Sequence, residues 1–398
     1  MTLLSLTPHQ QSSGVRRIES LDQVVAIAKS LAPAIRSRAK QTEANRIVPP
    51  ETIAELHESG LFGVVTPKVF GGSELGFEAL VRVTVEIGQA CGSTGWVYGV
   101  LAGHSWLVNL FPPSAQEQIF SDPNVLIATV FRLGGEAKKV DGGYRITGAE
   151  GRFCSGIDHV QWVIVGNPVR LADGALEPRF HIVPRKDIEV IDDWHTMGMR
   201  GTGSRSIRIA DSFVPEAYSA SSAELMSGKA PGTALHTTAL YRTPFRPTAP
   251  FSIVGAPIGM ALSVATMVAE QAGKTQASSG DEAAQGAFMA RVGEAVTDIQ
   301  AGLALVLDDA RRLDRSETLG PLSALESARF GKNWAYAVQK SRRAATDLFE
   351  IGGGSSIYNG AELQRPWRDV NASAQHFAFS WDSAMIAYGR AFITSAAL

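Results

Sequence analysis

"WHTMGMRGTGSRSIRIADSFVP", residues Trp194–Pro215, decides the fold of this chain. Its first half is punctuation. Gly198, Gly201 and Gly203 break any regular element, and Met197–Arg200 reads as a turn. Its second half, SIRIADSFVP, has the β-branched and aromatic character of a strand and ends at a proline. Upstream, VLIATVF, YRITGAEGRF, VQWVIVGNPV, RFHIVP and IEVIDDW repeat that character, separated by Gly, Asp and Pro. The spacing predicts an all-β middle domain over residues 123–220.

Toward the N-terminus the period changes. Leu21, Val24, Val25, Ala28, Leu31 and Ile35 recur at helical spacing on one face. PETIAELHESG opens on Pro50 and stops at Gly60. Phe77–Gln89 repeats the helical pattern. Trp96–Leu110 is apolar nearly all round and reads as a buried helix, and SAQEQIFSD is a short helix capped by Ser114. Residues 1–16 read as a loose tail, and 1–122 as an α-helical domain. Beyond the strands, SASSAELMSGKAPG is linker-like in composition, so 221–249 is expected to connect two domains. Four long helices follow at about 250–274, 283–314, 321–350 and 369–396, separated by QASSGDEA, SETLGP and GGGSSIYNG. They predict an antiparallel four-helix bundle over 250–398.

At 398 residues the chain exceeds what one core usually holds, and 45% hydrophobic with 19% charged residues suits a large globular protein. A net charge of −2 without a basic block argues against nucleic acid as a partner. The longest apolar runs are broken by charge, Gly or Pro, so no membrane span is expected. The N-terminus lacks the basic start and continuous apolar core of a secretory signal. Cys91 and Cys154 are the only cysteines, which fits a reducing cytoplasm, with a pairing of the two as the alternative.

No G-x-G-x-x-G follows a strand, and no P-loop, G-x-S-x-G or H-E-x-x-H motif occurs. The eight histidines are scattered without metal-ligand spacing, and two cysteines cannot build a thiolate zinc site. Chemistry is therefore expected from an organic cofactor held outside the standard motifs. GRFCSGIDHV, Gly151–Val160, interrupts a strand-like run with Ser155 and Gly156. The residues alone leave two readings open. One is a β-bulge that shapes a turn. The other is a flat ligand lying against backbone that Gly156 leaves bare.

The order helices, strands, bundle, together with Trp194–Pro215 and LFEIGGGSSIYNGAELQRPWRD (Leu348–Asp369), resembles the acyl-CoA dehydrogenase fold from about Leu21 to Phe392. That resemblance implies a mainly α protein whose middle β-barrel is closed by a Gly-Met-Arg-Gly type turn, with an Arg-Asp pair after a Gly-Gly turn. Two departures matter. The Arg-x-x-Phe-Gly run that grips FAD in such dehydrogenases is missing from AEQAGKTQASSGDEAAQGAF. RDVNASAQHFAFSWD carries no Glu where their base commonly sits. STGWVYGVLAGHSW, FCSGIDH and NASAQHFAFSWD are instead similar to the flavin-dependent monooxygenases that share the fold. Those are oxygenase components of two-component systems, such as the hydroxylases of p-hydroxyphenylacetate, steroid phenols and indole.

The resemblance assigns residues. It implies Ser155 beside flavin N5, His376 on the last helix near the C4a edge, and His104 facing the substrate. Gly156, Thr129, Trp194, Thr196, Gly352 and Gly353 would join Ser155 around the cofactor, the two last across a subunit interface. Trp106, Phe131, Phe245 and Phe377, with Trp96, would wall an aromatic substrate. The implied cofactor is reduced FMN, with FADH2 as the alternative, delivered by a separate NAD(P)H:flavin reductase. O2 then adds at C4a to give a hydroperoxide, which survives only in a dry site with N5 protonated. A Ser hydroxyl suits N5, and a histidine titrating near neutrality suits proton transfer with a phenol-like substrate or the departing oxygen. The expected product is a hydroxylated planar aromatic (a phenol, indole or polycyclic ring), made by a cytoplasmic homotetramer.

Plainer readings stand beside these. His104 as a core histidine, His376 as a solvated or capping histidine, and Gly352–Gly354 as a helix C-cap each satisfy the sequence. For the whole chain the alternatives are an acyl-CoA dehydrogenase-like FAD oxidoreductase, an N- or S-oxygenating monooxygenase on the same fold, and a helical scaffold without flavin.

Overall fold

The computed structural model describes residues 16–171, 173–275, 282–315 and 322–397. The tail 1–15 and most of the breaks QASSGDEA and SETLGP lie outside the described residues. Helices α1 (Leu21–Ser37), α2 (Ala39–Asn45), α3 (Pro50–Glu58), α4 (Phe77–Ala90), α5 (Gly92–Val108) and α6 (Pro113–Ile119) come first. The expected face of α1 is the one turned to the core: Val24, Ala28 and Ile35 are buried, and Ser20 caps the helix by accepting from Gln23 N. Ser114 does not cap α6. That helix begins at Pro113, after Pro112, because a fixed φ and a missing N–H suit proline to a first helical turn.

α5 is buried along its whole length. Its glycines explain how it fits. A Cβ on Gly95 would lie 2.5 Å from Gly88 Cα of α4, and one on Gly99 would lie 1.9 Å from the Ser252 carbonyl oxygen. Bare backbone lets α5 press against both neighbours.

Strands β1 (Ile127–Val130), β2 (Ala137–Val140), β3 (Gly143–Cys154), β4 (Trp162–Arg170), β5 (Leu176–Pro184), β6 (Glu189–Ile191), β7 (Arg205–Pro215) and β8 (Ser219–Ser221) form one eight-stranded sheet. Its hydrogen-bonded order is β6-β7-β3-β2-β4-β5-β8, with β1 on β4. β1 and β2 share one edge of β4: β1 runs parallel to Trp162–Val165, and β2 meets Val169 and Arg170. β3 is antiparallel to β7 from Gly143↔Pro215 to Gly151↔Ile207, then shifts register before Cys154.

The stretch 221–249 is more than a connector. α7 (Ser222–Met226) starts on a Ser221–Glu224 capping box. Leu225, Leu240, Tyr241 and Phe245 are buried, and Tyr241 donates to the Val65 carbonyl at 3.0 Å. Its Ser, Ala and Gly content looks like a linker, yet small residues also serve close packing at a junction.

The bundle holds α8 (Gly255–Thr275), α9 (Glu282–Asp314) and α10 (Ala324–Ile351). The expected fourth helix over 369–396 is two, α11 (Gln364–Ser373) and α12 (Trp381–Ala396). The break falls at His376, whose backbone is extended (φ −63°, ψ 135°) and caps a short 3-10 turn over Phe377–Phe379. Among the described residues one stretch, Ala249–Gly273, is long and apolar enough to cross a membrane, with mean hydropathy 1.8, but 78% of its apolar window is buried inside the protein. It is the core of the bundle.

Gly99→Ala would push α5 off the Ser252 turn. Its unfolding free energy in urea is expected to drop by about 1–3 kcal/mol. A change within about 0.5 kcal/mol, the usual scatter of neutral sites, would show that α5 has room to spare there.

Candidate active site

Gly151–Val160 does form a bulge, and the bulge carries Ser155 onto α5. Phe153 takes a left-handed backbone (φ 68°) that few non-glycine residues adopt, and its side chain is exposed. Cys154 and Ser155, which follow, are buried. Gly156 (φ 71°) rests on α5, where a Cβ would meet Val97 and Leu101 at 3.2–3.3 Å. Ser155 Oγ accepts from Trp96 Nε1 of α5 at 3.2 Å. It also lies 2.7 Å from Ser204 Oγ, which is 2.6 Å from Thr202 Oγ1.

Trp96 faces the break between α11 and α12 as well. Its ring meets the His376 imidazole edge-on, with centroids 5.6 Å apart. His376 lies 4.4 Å from Phe377, Phe377 lies 6.4 Å from Phe131, and Phe131 lies 5.6 Å from Phe245. This aromatic run joins Ser155 to the 221–249 segment. It has an open face, since Phe377 is 72% exposed and Phe131 37%. Burial among apolar rings lowers the His376 pKa to about 4. The ring is therefore neutral, and because Nδ1 accepts from Ala378 N at 3.3 Å, its proton sits on Nε2.

His104 lies eight residues beyond Trp96 on α5, about 12 Å along the axis. Its Nδ1 is 2.8 Å from the Ile127 carbonyl, which can only accept, so Nδ1 carries the proton. Nε2 then accepts from the Thr129 hydroxyl at 3.0 Å. Burial pushes His104 down to about 4, outweighing the Ile127 hydrogen bond that favours the cation. The expectation of a histidine titrating near neutrality is thus corrected at both positions. Both His104 nitrogens are engaged, so Thr129 is the member of this pair able to meet a ligand.

The Met197–Arg200 turn is held from several sides. Asp369 Oδ1 accepts from Met199 N at 2.6 Å. Arg368 donates to the Met197 carbonyl, and to Glu43 of α2 at 2.6 Å. A Cβ on Gly198 would lie 2.4 Å from the Arg368 carbonyl oxygen, so glycine is required for this approach. The Met199 carbonyl accepts from Trp194 Nε1 at 3.0 Å and Thr202 Oγ1 at 2.8 Å. Arg46, bidentate on Asp192 at 2.7 Å, ties the helical domain to the same loop. Burial raises Asp369 to about 6.

Ser155, Gly156, Trp96, His376, Phe377, Phe131 and Phe245 are thus brought together, with Thr129 two residues from Phe131 and His104 behind it. Trp194 flanks them, edge-on to Phe153 at 6.0 Å, while the Thr196 hydroxyl donates to the Gly198 carbonyl at 2.8 Å. Trp106 is elsewhere. It is buried in the core, donating to the Leu240 carbonyl at 2.8 Å and packing on Phe77, so it cannot wall an open cleft. Gly352 and Gly353 close α10: Gly352 lies against Leu363 and Ser356, and Gly353 takes φ 77°. Within the chain they follow the plainer C-cap reading. Sequence reasoning missed Thr202 and Ser204, and saw Asp369 only as part of an Arg-Asp pair. Thr202 and Ser204 were visible in RGTGSRS, but only the fold sets them against Ser155.

Among the described residues no three His, Cys, Asp or Glu side chains gather as a metal site. Hydroxyls, one imidazole N–H and aromatic faces suit a flat heteroaromatic ring with a polar edge, whereas the Cβ-less side of Gly156 is taken up by Val97 and Leu101 of α5. A reduced flavin fits that donor set.

Comparison with known proteins decides the family. Residues 22–120 match the acyl-CoA dehydrogenase N-terminal domain, and 251–381 match the acyl-CoA dehydrogenase C-terminal domain. The oxygenase subunit HsaA of a flavin-dependent monooxygenase from Rhodococcus jostii (strain RHA1) is 32% identical over 368 residues, covering 90% of this chain and 95% of its own. The chain belongs to the flavin-dependent monooxygenases built on the acyl-CoA dehydrogenase fold. Another monooxygenase relative, the oxygenase component of an FADH2-dependent resorcinol hydroxylase from Rhizobium sp. (strain MTP-10005), is 30% identical over 376 residues, 91% of each chain. The crystal structure of the HsaA monooxygenase from Mycobacterium tuberculosis superposes with a TM-score of 0.88 at 30% identity, over 94% of this chain and 98% of its own.

Nitrogen NMR of the imidazoles tests the neutral histidines. His104 is expected in the Nδ1–H form and His376 in the Nε2–H form, each half-titrating near pH 4. The unfolded chain binds more protons than the folded one from the ordinary value of about 6.5 down to that point. Each histidine therefore lowers stability as pH falls through that window, and adds no pH dependence above it. Half-titration near 6.5 in the folded chain would show that water reaches them freely.

Proposed function

We propose that this chain is the oxygenase half of a two-component monooxygenase that hydroxylates a planar aromatic such as a phenol, indole or polycyclic ring. It would take FADH2 or reduced FMN from a separate reductase. One observation carries this reading: Trp96 joins the Ser155 hydroxyl to the His376 ring, with the open faces of Phe377 and Phe131 alongside. Reduced flavin, when bound, supplies the activation of dioxygen that no side chain provides.

The chain's own residues do the rest. Ser155 would hold the polar edge of the ring, flanked by Trp194 and Thr196. Phe131 and Phe377, backed by the buried Phe245, would clamp the substrate and keep water out. Thr129 donates to His104 Nε2, so its oxygen is free to accept a phenolic O–H. Proton transfer then runs from the phenol to Thr129 and from Thr129 to His104 Nε2, while the Ile127 carbonyl keeps Nδ1–H in place. Burial makes His104 a weak base, so a bound phenol keeps its proton at rest. His376 Nε2–H is a donor for an oxygen leaving on the other side.

The dehydrogenase alternative needs a carboxylate base, and Asp369, next to Arg368, is already held on Met199 N. A homotetramer is supported by α12, which exposes Ile386, Phe392 and Ile393. In such an assembly Gly352 and Gly353 would reach a neighbour's cofactor. Two buried, unpaired thiols, Cys91 and Cys154, support a reducing cytoplasm.

Thr129→Val tests the proton path. With reduced FMN, O2 and a panel of phenols and indoles, hydroxylated product is expected to fall about 100-fold while O2 uptake continues and H2O2 takes its place. His376→Ala should keep flavin binding but also divert O2 to H2O2. Coupling at the wild-type level in both variants would remove these residues from their roles.

A further inference from the structure

Trp96 Nε1, Ser155 Oγ, Ser204 Oγ, Thr202 Oγ1 and the Met199 carbonyl form a line of contacts at 3.2, 2.7, 2.6 and 2.8 Å. The two ends have fixed roles. An indole N–H only donates, and a carbonyl oxygen only accepts. The single proton of Thr202 must point to Met199, because two oxygens at that distance with no proton between them repel. Ser204 therefore gives its proton to Thr202, and Ser155 gives its own to Ser204. Each bond polarises the next in the same direction. All three hydroxyl residues are buried, so water does not reorient them. Ser155 is left with one uncommitted lone pair and no free proton.

We propose that Thr202 and Ser204 are positioning residues that fix Ser155 as an acceptor, and so set which redox form of flavin the site prefers. The inference rests on the flavin reading above and adds two residues to it. Reduced flavin carries N5–H, a donor. Oxidised flavin presents a bare N5, an acceptor. A Ser155 that can only accept meets the first with a hydrogen bond and the second with lone pair against lone pair. The relay thus favours the form that reacts with O2 and helps expel the spent one.

The test is anaerobic binding, not turnover. Oxidised FMN and photoreduced FMN are titrated into the full-length chain, and the ratio of their dissociation constants is read from tryptophan fluorescence. Thr202→Val removes the oxygen that receives the Ser204 proton. Ser204 can then donate to Ser155, and the Ser155 proton is released toward the ligand. The preference for reduced FMN is expected to fall about tenfold, mainly through tighter binding of oxidised FMN. Ser204→Ala frees Ser155 by a separate deletion and should give the same loss, so the outcome does not hang on one variant folding. Thr202→Ser restores the hydroxyl and should keep the ratio within about twofold. Trp96→Phe deletes a hydrogen bond without reversing the line, so it should weaken both forms and leave the ratio alone. An unchanged ratio in folded Thr202→Val and Ser204→Ala overturns the relay while leaving flavin binding intact. A wild-type chain that binds neither form overturns the flavin reading itself.

Discussion

The hydrogen bond from the Trp96 indole to Ser155 is the contact on which the rest of the site depends. It joins α5 to the sheet, and the same ring joins both to the break in the bundle at His376. α5 can play this part because it is buried from end to end, with its glycines pressed onto α4 and the Ser252 turn. A side chain on so rigid a rod is placed more precisely than one on a loop. His104, on the same rod, orients Thr129, while Val97 and Leu101 support Gly156.

The site is polar but uncharged. Its histidines are neutral, and its hydroxyls are oriented by carbonyls and by one another. Charge is kept to the supports. Arg368, Asp369 and Glu43 lock the Met197–Met199 turn, and Arg46 grips Asp192. Polar groups without charge suit chemistry that water would spoil, because fixed dipoles in a low-dielectric cleft act strongly without drawing in a hydration shell.

Much of the fold was legible in the sequence because its signals are local. Helical spacing marked α1 and α4, and unbroken apolar character marked the buried α5. Non-local outcomes were harder to see. Residues 369–396 look like one helix until His376 uses its own ring as a cap, and 221–249 looks like a linker until Tyr241 and Phe245 are seen buried. The site shows the same divide. Ser155, Gly156 and His376 stood out through a resemblance, but Thr202 and Ser204 looked like ordinary turn residues. Their meaning depends on β7 returning beside the β3 bulge. Trp106 misled for the opposite reason: a tryptophan on α5 looks like a wall until its partners, Leu240 and Phe77, are known.

The central claim is that the β3 bulge, Trp96 and the α11–α12 break enclose a single ring-binding cleft. A crystal structure of the chain with reduced FMN, grown and frozen without oxygen, tests it most directly. The ring should lie with Ser155 Oγ within about 3.2 Å of N5, and His376 and Phe377 on its open side. A ring bound elsewhere, or one with Ser155 turned away and Trp96 no longer linking it to His376, would contradict the account.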